Sequence, residues 1–202
     1  MIRCLLPALL LIAAILPYAS ARADGLNICY HYRCSRQAYF DISDEERDWL
    51  AARMAQADSA ESERAAVGDA VQTLYFIAAR FTPIWQDKGG NIHDGPAEGR
   101  MDCVDHSSNV TTFLHYLERQ GWLKFHHAAQ AEWRAPHILD LHYTGVLHDD
   151  AANQDWAVDT WFKDFGEPPV VVPLSVWMTG YEPPAVSEPV EQASKSKEGN
   201  AP

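Results

Sequence analysis

Helical periodicity fills the first part of this chain and strand-like patterning fills the second, and that order restricts the fold class more than any other feature. Val67, Val71, Leu74, Tyr75, Ala78 and Phe81 recur at spacings of three and four, so they share one face of a helix that Pro83 should end. Ser43-Asp44-Glu45-Glu46 is a capping box before a helix carrying Trp49, Leu50, Arg53 and Met54, which trails through small residues to about Glu63. From Cys103 to about Gln120 the pattern is helical again, with Val104, Val110, Phe113, Leu114 and Leu117 turned inward and Gly121 as the stop. Ile138 to Leu147 and Trp156 to Phe162 then read as strands, with His148 to Asn153 as the turn between them. Val170-Val171-Val172 is a short strand whose ladder Pro173 limits, and Leu174 to Tyr181 closes the core. Helices followed by strands predict an α+β domain, N-terminal helices packed on a small antiparallel sheet.

The ends of the chain bound that domain. Arg3, the apolar run Leu5 to Pro17 and the small-x-small pattern Ala21-Arg22-Ala23 read as a signal peptide spanning 1–23, too short in its apolar part for a membrane span. Residues 182–202 are rich in Pro, Ser, Glu and Lys and are expected to form a disordered tail. One domain remains over 24–181. The location implied is periplasmic or secreted, with no stable membrane insertion after cleavage. Cys4 leaves with the leader, so Cys29, Cys34 and Cys103 are left in an oxidising compartment. Cys29 and Cys34 are close enough to close a small disulfide loop, and Cys103 is then the unpaired thiol. The net charge of −12 argues against a nucleic-acid partner, which calls for a basic patch.

Cys103 follows the Gly-, Asp- and Pro-rich loop from Asp87 to Gly99 and opens a predicted helix. A helix N-terminus offers partial positive charge and free N–H groups, which favour a thiolate and stabilise an oxyanion. A free cysteine is also commonly a buried structural residue. A thiol nucleophile needs a base, and the base gains from a third group that holds its tautomer. His142 and Asp159 supply those types on consecutive strands. A hairpin turning at His148 to Asn153 sets them directly opposite each other, within hydrogen-bond reach.

Asp102-Cys103-Val104-Asp105, the helix ending near Gly121-Trp122-Leu123, Leu141-His142-Tyr143-Thr144-Gly145 and Trp156-Ala157-Val158-Asp159-Thr160-Trp161 together resemble the bacterial transglutaminase-like cysteine peptidases. The resemblance runs from about Gly95 to Phe162. It implies a transglutaminase-like/papain-like fold and a catalytic triad of Cys103, His142 and Asp159. The activity implied is thiol-dependent hydrolysis or transamidation of amide or peptide bonds in a peptide or protein substrate. Val104-Asp105-His106 and Tyr143-Thr144 depart from the motifs common in that family, so substrate preference does not carry over. Some relatives bind calcium through acids around the cysteine. Val104 leaves only Asp102 and Asp105 there, few against the six to eight oxygens calcium prefers.

Neither cofactor nor metal is expected. The nine histidines form no His-Glu-x-x-His pattern, and His126-His127 reads as an exposed connection. Asn109-Val110-Thr111 matches a glycosylation sequon but lies inside a helix, so Asn109 reads as structural. Trp133, Trp156, Trp161 and Trp177 are expected in the core or along a groove. The alternative to an enzyme is a non-catalytic periplasmic binding protein on the same fold.

Overall fold

Each of the three long helices begins where a side chain satisfies its first orphan N–H groups. The computed structural model describes residues 24–91, 95–136 and 141–184; the expected leader and nearly all of the expected tail lie outside these. Helix α1 (Asp44–Ala55) starts at the Ser43/Glu46 capping box, as its sequence requires. It ends earlier than the sequence suggests. Ser59 and Ser62 form a second capping box that opens α2 (Ala60–Ala78). Val67, Val71, Leu74, Tyr75 and Ala78 are buried along α2, whereas Phe81 lies beyond its end and is exposed. A short 3-10 turn over Pro83–Gln86 follows.

Helix α3 (Cys103–Arg119) is capped by Asp102 and Asp105. Val110, Phe113, Leu114 and Leu117 are buried on it, while Val104 stays half-buried. Gly121 ends it at a φ of 73°. The N–H groups of Gly121 and Trp122 return to the carbonyls of Glu118 and Leu117, a Schellman closure that needs this left-handed residue.

The strands form two antiparallel sheets, so the α+β class is observed, though the order is not helices first. A hairpin of β1 (Gly25–Tyr30) and β2 (Arg36–Asp41) precedes every helix among the described residues. The larger sheet runs in the order β3 (His126–Arg134), β4 (His142–Asp149), β5 (Gln154–Asp159), β6 (Val170–Pro173). Short helix α4 (Leu174–Trp177) follows β6. Strand β3 corrects the reading of His126-His127 as an exposed connection. His126 is fully buried on it, its ring Nδ1 2.9 Å from Glu63 Oε1, and only His127 is exposed. The first predicted strand begins at His142; Ile138 to Asp140 lie outside the described residues.

The β4–β5 reversal is tighter than expected and changes the register. Strand β4 continues through Asp149, whose Oδ1 accepts from the Ala151 and Ala152 N–H groups at 3.1 and 2.9 Å. Gly145 therefore faces Val158 and Asp149 faces Gln154, two residues away from a pairing of His142 with Asp159. A two-residue slip preserves side-chain parity, so His142 and Asp159 stay on one face as diagonal neighbours. Helix α3 lies close on β4 at Gly145, where a Cβ would sit 2.5 Å from Val110 Cγ1. That close approach carries the N-terminus of α3, and Cys103, to the start of β4. No helix among the described residues is long and apolar enough to cross a membrane.

Candidate functional site

Cys103 is the first residue of α3 and the free cysteine among the described residues; Cys29 and Cys34 form a disulfide. The Cys103 thiol donates to the Leu141 carbonyl at 3.8 Å. Leu141 immediately precedes His142, so the sulfur lies at the strand end that carries the histidine. His142 Nε2–H donates to Asp159 Oδ2 at 2.7 Å. A carboxylate only accepts, so that bond places a proton on Nε2, with Nδ1 on the other side of the ring.

Asp159 is held from three directions. The Trp177 indole N–H donates to Oδ2 at 2.8 Å and the Trp161 backbone N–H donates to Oδ1 at 3.0 Å. Aromatic rings enclose the imidazole: Trp161, Phe162 and Trp177 have centroids 4.6, 5.2 and 5.4 Å from it. His142 and Asp159 are both buried, and exclusion of water strengthens the hydrogen bond between them.

Residues further out hold this arrangement. Arg134 pairs with His142 in the β3–β4 ladder, and its guanidinium donates to the carbonyls of Trp177 and Tyr181. It thereby fixes α4, which presents the Trp177 indole to Asp159. The Trp161 indole donates to Asn91 Oδ1 at 3.0 Å, and His106 Nδ1 lies 2.7 Å from Thr160 Oγ1. The two residues after Asp159 are therefore each anchored to a different part of the chain. His106 Nε2 also lies 2.9 Å from Asp87 Oδ2, a second buried histidine–aspartate contact.

The environment of Cys103 reverses one expectation. Burial pushes its thiol up to about 11, and the negative charges of Asp102 and Asp159 add to that. The Tyr143 N–H and its own N–H offset it only in part. The helix end does not favour the thiolate because Asp102 caps it. Asp102 Oδ1 accepts from the Val104 and Asp105 N–H groups at 3.1 and 3.0 Å, placing an anion where free donors were expected. Alkylation by iodoacetamide should therefore still be climbing above pH 9. The rate at pH 10 should exceed that at pH 8.5 by at least about tenfold, against about twofold for an ordinary thiol. A plateau near pH 8.5 would contradict the partly buried, uncharged thiol.

The other sequence-marked residues fall as follows. Asn109 is structural: its side chain accepts from the Cys29 N–H at 2.7 Å and donates to the Cys29 carbonyl at 2.9 Å. Asp102 and Asp105 are occupied by backbone N–H donors on both of their oxygens. Among the described residues, no three His, Cys, Asp or Glu side chains converge as metal ligands. Trp161 and Trp177 enclose His142. Trp156 carries the Arg64 guanidinium 3.7 Å from its ring centroid, and Trp133 is exposed rather than core. The roles of Arg134 and Trp177 left no signal in the sequence, since both depend on contacts far apart along the chain. Comparison with family models, with curated proteins and with solved structures finds no match.

Proposed function

We propose that this protein is an exported thiol-dependent acyl transferase or hydrolase acting on amide or peptide bonds. Cys103 is the nucleophile, His142 the base and Asp159 the group that orients it, on a transglutaminase-like/papain-like arrangement. The observation that carries the reading is the buried His142–Asp159 hydrogen bond at 2.7 Å, at the strand end whose Leu141 carbonyl contacts the Cys103 sulfur. The disulfide between Cys29 and Cys34 supports an oxidising compartment.

The chemistry follows from the protonation pattern. Because the resting thiol is uncharged, its proton moves at the step of attack. His142 Nδ1 takes the Sγ proton as sulfur bonds to the substrate carbonyl carbon. The tetrahedral intermediate then expels the amine, which receives the proton from Nδ1, and a thioester on Cys103 remains. Water or a second amine attacks that thioester and frees the sulfur. The Val104 and Asp105 amides are spent on the cap, so the Cys103 N–H is the donor of this helix end left for an oxyanion.

p-Nitrophenyl acetate tests the reading without a known substrate. The expected result is a burst of p-nitrophenolate stoichiometric with protein, and one acetyl group mapped to Cys103 by mass spectrometry. Cys103→Ala should abolish the burst, and His142→Ala should slow it by about 10²–10⁴-fold. No burst from the wild-type protein would overturn the enzyme reading and favour a binding protein, for which the partly buried, high-pKa thiol is the supporting feature.

A further inference from the structure

Four consecutive residues without a glycine among them, His31, Tyr32, Arg33 and Cys34, have φ of 69, 66, 55 and 54°. Each occupies the left-handed region that a Cβ disfavours. The Cys29–Cys34 disulfide, with Cα atoms 4.6 Å apart, closes this turn between β1 and β2. Successive N–H groups in such a turn point inward together and form a cradle for an anion.

The anion is supplied by the helix that bears Cys103. The Tyr32 and Cys34 N–H groups donate to Asp105 Oδ2 and Oδ1 at 2.8 and 2.6 Å, and the Arg33 N–H donates to Asp102 Oδ2 at 3.1 Å. The same carboxylates form the capping box of α3: Asp102 accepts from Val104 and Asp105, and Asp105 accepts from the Asp102 N–H at 3.1 Å. Cys103 sits between them. The ring is seated at three further points. His31 N–H donates to the Arg100 carbonyl at 2.8 Å, Tyr32 Oη donates to the Asn91 carbonyl at 3.0 Å, and Asn109 bonds both backbone groups of Cys29. Two like charges on Asp102 and Asp105 are thus held together by three donors that only the strained turn provides.

We infer that the disulfide-closed turn, anchored on Asp105, positions Cys103 for attack, so that the reactivity of Cys103 depends on Cys29 and Cys34 being oxidised. Asp105 is a positioning residue: it acts through the helix end and not on the reacting atoms. The inference rests on Cys103 being the nucleophile. A dithiol reductant supplies the switch. One of its thiolates attacks the disulfide, its second thiol resolves the mixed disulfide, and the protein gains two electrons and two protons as two thiols. Released from the ring, His31 to Cys34 relax from the left-handed region and their N–H groups leave the carboxylates. Asp102 and Asp105 then repel each other without compensation, and the first turn of α3 loosens.

The test treats the whole protein with dithiothreitol, removes the reagent under argon, and measures the p-nitrophenyl acetate burst at Cys103, counted by mass spectrometry apart from acetylation of the two freed thiols, beside amide hydrogen exchange. Supporting the inference, the burst slows at least tenfold and returns on reoxidation. Exchange then accelerates at Tyr32 to Cys34 and Val104 to His106 but not in the middle of α3. Asp105→Asn, which leaves the disulfide intact and offers one acceptor oxygen where the turn presents two N–H groups, should reproduce the slowing without reductant. It should also move Cys103 alkylation from about 11 toward the ordinary thiol range as the site opens. An unchanged burst in reduced protein, or normal kinetics in Asp105→Asn, overturns the inference. If neither redox state gives a burst, the enzyme reading fails. Exchange then decides positioning separately: unchanged protection at Val104 to His106 after reduction overturns it, and lost protection supports it.

Discussion

Replacing Asp159 with alanine should slow acetylation of Cys103 by about 10³–10⁴-fold, and asparagine in its place should cost about 10⁴-fold as well. Three donors converge on this carboxylate: His142 Nε2, the Trp177 indole and the Trp161 backbone amide. Alanine leaves all three without an acceptor in a buried site and releases the imidazole to rotate or change tautomer. Asparagine keeps one oxygen. Placed at the Oδ2 position, that oxygen accepts from His142 and Trp177 but sets the amide N–H groups against the Trp161 N–H; flipped, the amide opposes the His142 Nε2–H and favours the wrong tautomer. In either pose the imidazole loses the charge behind it. Asparagine nearly preserves the volume of aspartate, so a loss as large as that of alanine separates tautomer and charge from mere packing. A loss under about tenfold for asparagine, with the protein folded by circular dichroism, would show that Asp159 does not hold the tautomer.

Glu63→Ala should lower stability by about 3–5 kcal/mol, which for a domain of this size is a fall of roughly 10 °C in Tm. Glu63 is fully buried on α2 and receives the N–H groups of Lys124, Phe125 and His126 at 2.7, 3.0 and 3.0 Å. Its Oε1 also lies 2.9 Å from His126 Nδ1. Alanine strands three backbone donors and the ring where β3 begins. Burial alone pushes the Glu63 carboxyl up, but the bonds from His126, Lys124 and Phe125 outweigh it and leave it below its ordinary value. A lowered folded value means that this stabilisation is present above the unfolded value, about 4.3, and is lost as pH falls through the folded one. The wild type should therefore lose part of its stability below about pH 4, and Glu63→Ala should lack that part of the transition. Glu63→Gln, with one acceptor left, should fall between the two. A loss under about 1 kcal/mol in the alanine variant would show that the backbone donors find other partners.

These two residues also show what sequence reasoning reaches. Cys103 at a helix start, and His142 and Asp159 on neighbouring strands, were legible because helical periodicity and strand propensity are local signals. Their being on one face survived a register error, since a slip of two residues changes the partner but not the parity. Glu63 carried no such signal. It is one acid among many in a helical stretch, and only the approach of β3, more than 60 residues away, makes it a buried acceptor. His126 was misread for the same reason. The β1–β2 hairpin escaped although Leu26 and Ile28, and Ala38 and Phe40, alternate with exposed neighbours: each strand is only six residues long, and the left-handed turn joining them carries no glycine to mark it.

The amino-acid sequence by itself determined the helices, the Ser43–Glu46 cap, the strand pair that carries His142 and Asp159, and the disulfide-capable spacing of Cys29 and Cys34. All are set within a few residues by propensity, capping and periodicity. Tertiary structure alone decided the charge state of Cys103, the aromatic enclosure of His142, the hold of Arg134 on α4 and the docking of the left-handed turn on Asp105. Each depends on burial or on partners distant in the chain, and desolvation and long-range contact exist only once the chain has folded.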